Sequence, residues 1–281
     1  MAKKNSETEP QFLPSPLNND MINYKVYYMS SSEKIGAFLL TMILGGLAGL
    51  VFYGGLFKEG GEATTATTIS NLVVFFGVGG IAAKVFVPAV KNSLHTKRKK
   101  ALRKQFMDML EILSASLSSG NTVNDAFIGA KTDMRNQYAD TAYIIQELDE
   151  IASGITNGKS LEEMVISFGK RSDNEDIENF GNVISNCYRL GGDFKDVIVR
   201  TRAILGDKIA IEDEIQTKLA SNKLQHYAMS LMPIALVAML KITNESFARN
   251  LSSAIGVIVT TFAIGIFVGS YFWGMKICDI K

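Results

Sequence analysis

Four stretches of this chain carry no charged side chain, and they dictate where it can fold. Ile35 to Phe57 runs 23 residues between Lys34 and Lys58, and Ala63 to Ala83 runs 21 and ends at Lys84. Leu224 to Leu240 runs 17 between Lys223 and Lys241, and Leu251 to Met275 runs 25 between Arg249-Asn250 and Lys276. A helix needs about 20 mostly apolar residues to cross about 30 Å of hydrocarbon. The third run is short, but His226 and Tyr227 suit the membrane interface and Lys223 can snorkel. Four such runs in 281 residues are too many to bury in an aqueous core. The sequence therefore predicts two transmembrane helical hairpins, over 34–90 and 224–275. The first run does not read as a cleaved leader, because 34 residues precede it and its apolar core is too long. The segment 1–33, with Pro10, Pro14 and Pro16 among scattered polar residues, reads as a flexible tail.

Charge sets the orientation. Lys84, Lys91, Lys97, Arg98, Lys99, Lys100, Arg103 and Lys104 follow the second run with no acid before Asp108. Lys and Arg resist translocation, so this side is cytoplasmic. Lys3, Lys4, Lys25, Lys34, Lys276 and Lys281 put both termini, including the short tail 276–281, on the same side. The opposite loops hold only Lys58, Lys241 and Arg249. Lys97, Arg98, Lys99, Lys100, Arg103 and Lys104 form a basic cluster expected to face anionic lipid headgroups. The run has no Phe, Tyr or Trp between Lys91 and Lys104 on which bases could stack, which argues against nucleic acid as a partner.

Residues 91–223 contain no Pro, and from Lys84 to Lys223 there are 20 basic and 20 acidic residues. Apolar spacing is helical. Leu102, Phe106, Met109, Leu110, Leu113 and Leu117 make one stripe, and Ile177, Phe180, Ile184, Cys187 and Tyr188 another. Punctuation divides the segment into about six helices. Ser118-Ser119-Gly120-Asn121 ends the first, and Thr122 with Asp125 caps the second. A third runs from about Ala139 to Ser153. Ser160 with Glu163 and Ser172 with Glu175 open the fourth and fifth as capping boxes. Gly191-Gly192 closes the fifth and Asp193 caps the sixth. From Asp193 no Pro appears before Pro233, and an unbroken helix to Leu240 would be about 72 Å long. A break near Ser221-Asn222 is the alternative. The expected architecture is an all-α membrane protein, with a six-helix cytoplasmic bundle over 91–223 between the two hairpins.

Signatures of chemistry are absent or deceptive. Gly154-Ile-Thr-Asn-Gly158-Lys159-Ser160 is one residue short of a phosphate-binding loop, since Ser153 stands where Gly is needed, and a helix rather than a strand precedes it. A helix stop followed by the Ser160 cap explains the same letters. His95 and His226 have no second metal ligand at i+3 or i+4, and two Cys exclude a four-Cys zinc site. No catalytic residue, metal or cofactor is expected. The apolar runs carry no acid, which argues against an ion-coupled transporter. Gly45 with Gly49 and Gly265 with Gly269 have the GxxxG spacing, either of close helix pairs or of ordinary membrane helices.

The order of Phe106 to Leu117, the Gly120 turn, Gly158-Lys-Ser-Leu-Glu, Arg171, and Arg189-Leu-Gly191-Gly192-Asp-Phe resembles the type II secretion system F domain. A long charged helix and a Pro-containing membrane helix around Pro233 follow. The resemblance covers about residues 100–240 and is nearest to the single-domain platform proteins of tight-adherence (Tad, or Flp) pilus systems, of the TadB or TadC kind. It implies a bacterial inner-membrane platform protein without catalysis of its own. Its partners would be a cytoplasmic hexameric secretion ATPase, pilin subunits, and itself or a sister platform protein. A transporter permease-like subunit or a membrane-tethered signalling protein is the competing reading. Gly120, Gly158, Gly191, Gly192 and Pro233 are expected to shape turns and the membrane helix. Arg171, Arg189, Asp173, Glu175, Asp176 and Glu178 are candidate partner contacts, or helix-end charges serving only the fold.

Overall fold

The computed structural model describes residues 9–56 and 64–278. Lys3, Lys4, Lys58 and Lys281, used above for orientation, lie outside them. The elements are β1 (Phe12–Pro14), β2 (Asp20–Ile22), α1 (Ser31–Tyr53), α2 (Thr65–Ser118), α3 (Val123–Arg135), α4 (Tyr143–Thr156), α5 (Leu161–Ser172), α6 (Glu175–Leu190), α7 (Phe194–Thr243), α8 (Glu245–Leu251) and α9 (Ala254–Cys278). They group into two compact units. One comprises Met1–Tyr28 with Lys91–Glu212, the other Met29–Val90 with Asp213–Lys281.

The first unit holds α3 to α6 and parts of α2 and α7. Its core is the stripe read from α2: Leu102, Phe106, Met109, Leu110 and Leu113 are buried. Phe106 meets Phe180 of α6 at 5.3 Å and Phe168 of α5 at 6.2 Å between ring centres, both in the edge-to-face geometry that aromatic quadrupoles favour. Helices α5 and α6 approach closely because Gly181 and Gly169 face each other's backbones. A Cβ on Gly181 would lie 3.2 Å from the Val165 carbonyl oxygen, and one on Gly169 3.1 Å from Glu178 Cα. On α6, Ile177, Phe180, Ile184 and Cys187 are buried, but Tyr188 is 54% exposed and leaves the stripe.

The caps follow local chemistry. The Thr122 hydroxyl accepts the Asp125 amide and Ser160 accepts that of Glu163. Asp193 accepts the Lys195 and Asp196 amides at the start of α7. The fifth expected start is corrected. Asp173 adopts a left-handed conformation (φ 48°), and Asn174, not Ser172, caps α6 through the Asp176 amide. Ser172 instead donates to the Gly169 carbonyl. Helix α4 starts at Tyr143 rather than Ala139, after the turn that follows α3. Gly120, Gly158 and Gly191 all have positive φ, where a Cβ is strained. Gly192 does not, and its role is room: a Cβ there would lie 2.9 Å from Cys187 Sγ.

The flexible tail is also corrected. From residue 9 to Tyr28 the chain belongs to the first unit, with β1 and β2 paired antiparallel (Leu13 opposite Met21) and Tyr24 wholly buried.

In the second unit four helical stretches are long and apolar enough to cross a membrane by length and composition: Ser31–Tyr53, a window in Thr65–Ser118, a window in Phe194–Thr243, and Ala254–Tyr271. Val73, Ile81, Met232 and Phe262 are among the large apolar side chains they leave exposed, as lipid contact requires. The Gly45/Gly49 pair is a packing device: a Cβ on Gly45 would lie 2.4 Å from Ala82 Cβ, and one on Gly49 2.9 Å from Val78 Cβ. A Cβ on Gly265 or Gly269 would meet nothing within 4 Å among the described residues. Lys241 Nζ of α7 donates to the carbonyls of Gly54 (2.5 Å) and Val51 (3.0 Å) at the end of α1, placing a cation on the negative end of that helix. Asn71 of α2 accepts the Gly55 amide at 2.9 Å.

Two helices include residues of both units. α2 is one helix of 54 residues, about 81 Å at 1.5 Å per residue, although Pro88 removes one backbone donor. α7 is one helix of 50 residues, about 75 Å, continuous through Ser221-Asn222 and Pro233. The break weighed at Ser221 is not there, and the expected boundary at 90–91, though inside α2, is where the two units divide. The expected C-terminal tail from 276 starts inside α9.

Candidate functional site

The charged residues of the first unit gather into two clusters, the first of them across α2, α6 and α7. On α2, Lys99 and Arg103 are four apart and share a face. On α7, Lys208 and Glu212 do the same. The first turn of α6 offers Glu175, Asp176 and Glu178, acids that suit the positive end of a helix. The fold brings these sets together. Asp176 Oδ2 lies 2.9 Å from Arg103 Nε, and its Oδ1 2.7 Å from Lys208 Nζ. Arg103 also pairs with Glu212. Lys99 reaches Asp173 at 2.8 Å. Arg103 and Asp176 are largely buried, so their pairing is less screened by salt than a surface bridge. The result is a charged clamp that holds α2, α6 and α7 in one register.

A second cluster surrounds Arg171, and it overturns the reading of that residue as a surface contact. Arg171 is 4% exposed and Glu147 of α4 is 1% exposed. The guanidinium grips the carboxylate with both arms, Nη1 to Oε1 at 2.8 Å and Nη2 to Oε2 at 2.6 Å, the fork geometry that makes Arg the usual partner of a buried carboxylate. Nη1 also donates to the Ile22 carbonyl at 3.2 Å. The Tyr24 hydroxyl donates to Glu147 at 3.1 Å. Burial pushes the Glu147 carboxyl above its ordinary range, while Arg171 and then Tyr24 pull it back. Burial, and next the Glu147 charge, lift the Tyr24 phenol well above its usual value. One turn along α4, Glu150 accepts from Ser15 Oγ at 2.5 Å and Asn19 Nδ2 at 2.9 Å.

The basic cluster is divided rather than wholly lipid-facing. Arg98 is buried with its guanidinium 4.8 Å from the Tyr24 ring centre and 5.3 Å from that of Tyr143, a cation–π arrangement. Lys99 and Arg103 serve the clamp. Lys97, Lys100 and Lys104 are exposed. Among the partner-contact candidates, Asp173 and Asp176 are engaged by Lys99, Arg103 and Lys208, while Glu175 and Glu178 are exposed on α6. Arg189 is also exposed, with Nε 3.2 Å from Glu162 Oε1. The phosphate-loop look-alike is a helix–turn–helix: α4 ends at Thr156, Gly158 makes the turn, and Ser160 caps α5.

Sequence reading missed Tyr24, Glu147, Ser15, Asn19 and Glu150. One signal was present: Glu147 lies three residues after Ile144 and four before Ile151, on the apolar face of α4, where a lone acid needs a partner.

Residues 109–242, from α2 through α3–α6 into the apolar run of α7, match the family model described as Type II secretion system (T2SS), protein F. No curated protein and no solved structure matches the chain.

Proposed function

We propose, from the protein F match over residues 109–242, that this chain is a platform protein of the bacterial inner membrane in a type II secretion or type IV-like pilus machine, with a Tad (Flp) pilus as the narrower assignment. Proteins of that family are membrane platforms rather than enzymes. The helical unit would stand in the cytoplasm as a bundle of α3–α6 with parts of α2 and α7, with both termini on the same side. The distribution of Lys and Arg around the four apolar stretches supports that orientation. A cytoplasmic hexameric secretion ATPase would supply the work, pilin subunits would receive it, and a second copy or a sister protein would complete the platform.

The observation that carries the mechanism is the continuity of α7 from the helical unit through Pro233. A displacement applied to α3–α6 reaches α7, and α2 beside it, through the Arg103–Asp176–Lys208 and Arg103–Glu212 pairs. A continuous helix carries that displacement into the apolar run, where pilin is lifted from the bilayer. Glu175, Glu178 and Arg189 are the exposed charges of α6 offered to the ATPase, and Lys97, Lys100 and Lys104 those offered to lipid headgroups.

Inserting a flexible Gly-Ser segment after Ser221 tests this. Membrane insertion is expected to persist while filament assembly is lost, and the purified chain is expected to co-purify with the ATPase while hydrolysing no ATP alone. Full filament assembly by the insertion variant, or ATP turnover by the isolated chain, refutes the proposal.

A further inference from the structure

Residues 12–28 form a tail by position and part of the core by contact. Tyr24 joins the same apolar cluster as Leu102, Phe106 and Ile144, with Leu17 and Ile22 packed against it. Its polar atoms are held by three different helices. The hydroxyl donates to Glu147 of α4 at 3.1 Å, the amide to the Arg171 carbonyl of α5 at 2.9 Å, and the carbonyl meets His95 Nε2 of α2 at 2.9 Å. A carbonyl only accepts, so that His95 nitrogen carries the proton. The second anchor is Glu150, which Ser15 and Asn19 reach one turn further along α4. Asn23 and Val26 are buried beside Tyr24, while Phe12, Lys25 and Tyr28 are exposed.

The strap runs directly into the first apolar helix. Six residues lie between Tyr24 and Ser31, the first residue of α1, so the docked strap is a tether of at most about 25 Å over seven Cα steps. Undocked, α1 connects back to the helical unit through the α1–α2 hairpin.

We infer that residues 12–28 are a latch that makes α1 follow the helical unit, with Tyr24 as the bolt and Glu150 as a second catch. The consequence of this latch rests on the coupling role proposed above, but the docking itself does not.

Amide exchange by mass spectrometry on the full chain in lipid nanodiscs reads the latch. In Tyr24→Ala, residues 12–24 are expected to exchange at least tenfold faster while α3 and α6 keep their wild-type rates. Ser15→Ala with Asn19→Ala gives a smaller rise, and Tyr24→Phe, which keeps the ring, recovers most of the protection. In cells, Tyr24→Ala is expected to insert normally yet assemble fewer filaments, with Tyr24→Phe restoring them. Unchanged exchange over 12–24 in Tyr24→Ala overturns the inference. So does loss of protection throughout α3–α6, which would make the strap a structural element rather than a latch. Wild-type filament assembly with a released strap also overturns it. A strain lacking the gene that still builds filaments removes the platform reading alone and leaves the exchange result standing.

Discussion

The Glu147–Arg171 pair makes the sharpest energetic prediction, because both partners are inside the protein and their contacts are known atom by atom. Removing one member of such a pair leaves an uncompensated buried charge and costs about 3–5 kcal/mol, whereas replacing both with apolar groups is often close to neutral. Arg171→Met and Glu147→Gln should therefore each raise the opening of the helical unit by about 100- to 4,000-fold, at about 1.4 kcal/mol per factor of ten. The double variant Glu147→Leu/Arg171→Met should recover most of this. Recovery will be incomplete by about 1 kcal/mol, since the Tyr24 hydroxyl and the Ile22 carbonyl lose their partners. Cys187, buried on α6, supplies the assay: in a Cys278→Ser background its rate of modification by a thiol reagent reports opening of this unit in nanodiscs.

The same pair gives the reasoning a pH signature. Burial raises the Glu147 pKa above its ordinary 4.5 despite Arg171. The folded state therefore binds a proton that the unfolded state has released, and stability falls as pH rises from that ordinary value through the folded one. Without the guanidinium the folded pKa climbs further, so the excess opening of Arg171→Met over wild type should grow as pH rises above the ordinary carboxylate range. Single and double variants all within about threefold of wild type, or a variant-to-wild-type ratio that does not change with pH, would refute the account.

Two further outcomes follow from packing. Gly181→Ala forces a Cβ against the Val165 carbonyl and should cost about 1–3 kcal/mol, read by the same Cys187 assay, whereas Gly129→Ala, with open space on exposed α3, should stabilise by about 0.5–1 kcal/mol. Lys241→Met should fray the end of α1, accelerating amide exchange over residues 50–54 by about tenfold for a loss of about 1–2 kcal/mol.

What could be read in advance was whatever the chain encodes locally. The apolar runs, the α2 stripe and the Thr122, Ser160 and Asp193 caps each depend on residues within a few turns, and the structure shows all of them. The start of α6 was misplaced by a single left-handed residue, Asp173, which moved the cap to Asn174. The strap escaped for a different reason. Its anchors lie far along the chain, 123 residues from Tyr24 to Glu147 and 135 from Ser15 to Glu150. Three prolines and few apolar residues suggest looseness when read locally. Only Glu147 on an apolar face and the tyrosines at 24, 27 and 28 hinted that something had to cover α4.

The basic run of α2 shows why a charge cluster read from sequence overstates its surface. At 100° per residue, Lys97, Lys100 and Lys104 fall within an arc of about 60°, opposite Leu102 and Arg98, while Lys99 and Arg103 lie on the flank toward α6 and α7. The six cations thus divide: Arg98 lies against the tyrosines, Lys99 and Arg103 serve the clamp, and Lys97, Lys100 and Lys104 have exposed side chains. Each of those lysines is worth about 1 kcal/mol near an anionic headgroup, provided it lies within a Debye length of the surface. Replacing Lys97, Lys100 and Lys104 with Gln should reduce the anionic lipid retained in native mass spectrometry and leave Cys187 protected. Arg103→Met should do the reverse, exposing Cys187 through a loss of about 1–2 kcal/mol with lipid retention unchanged. Equal effects of both variants on both readouts would mean that the helix face does not sort these charges.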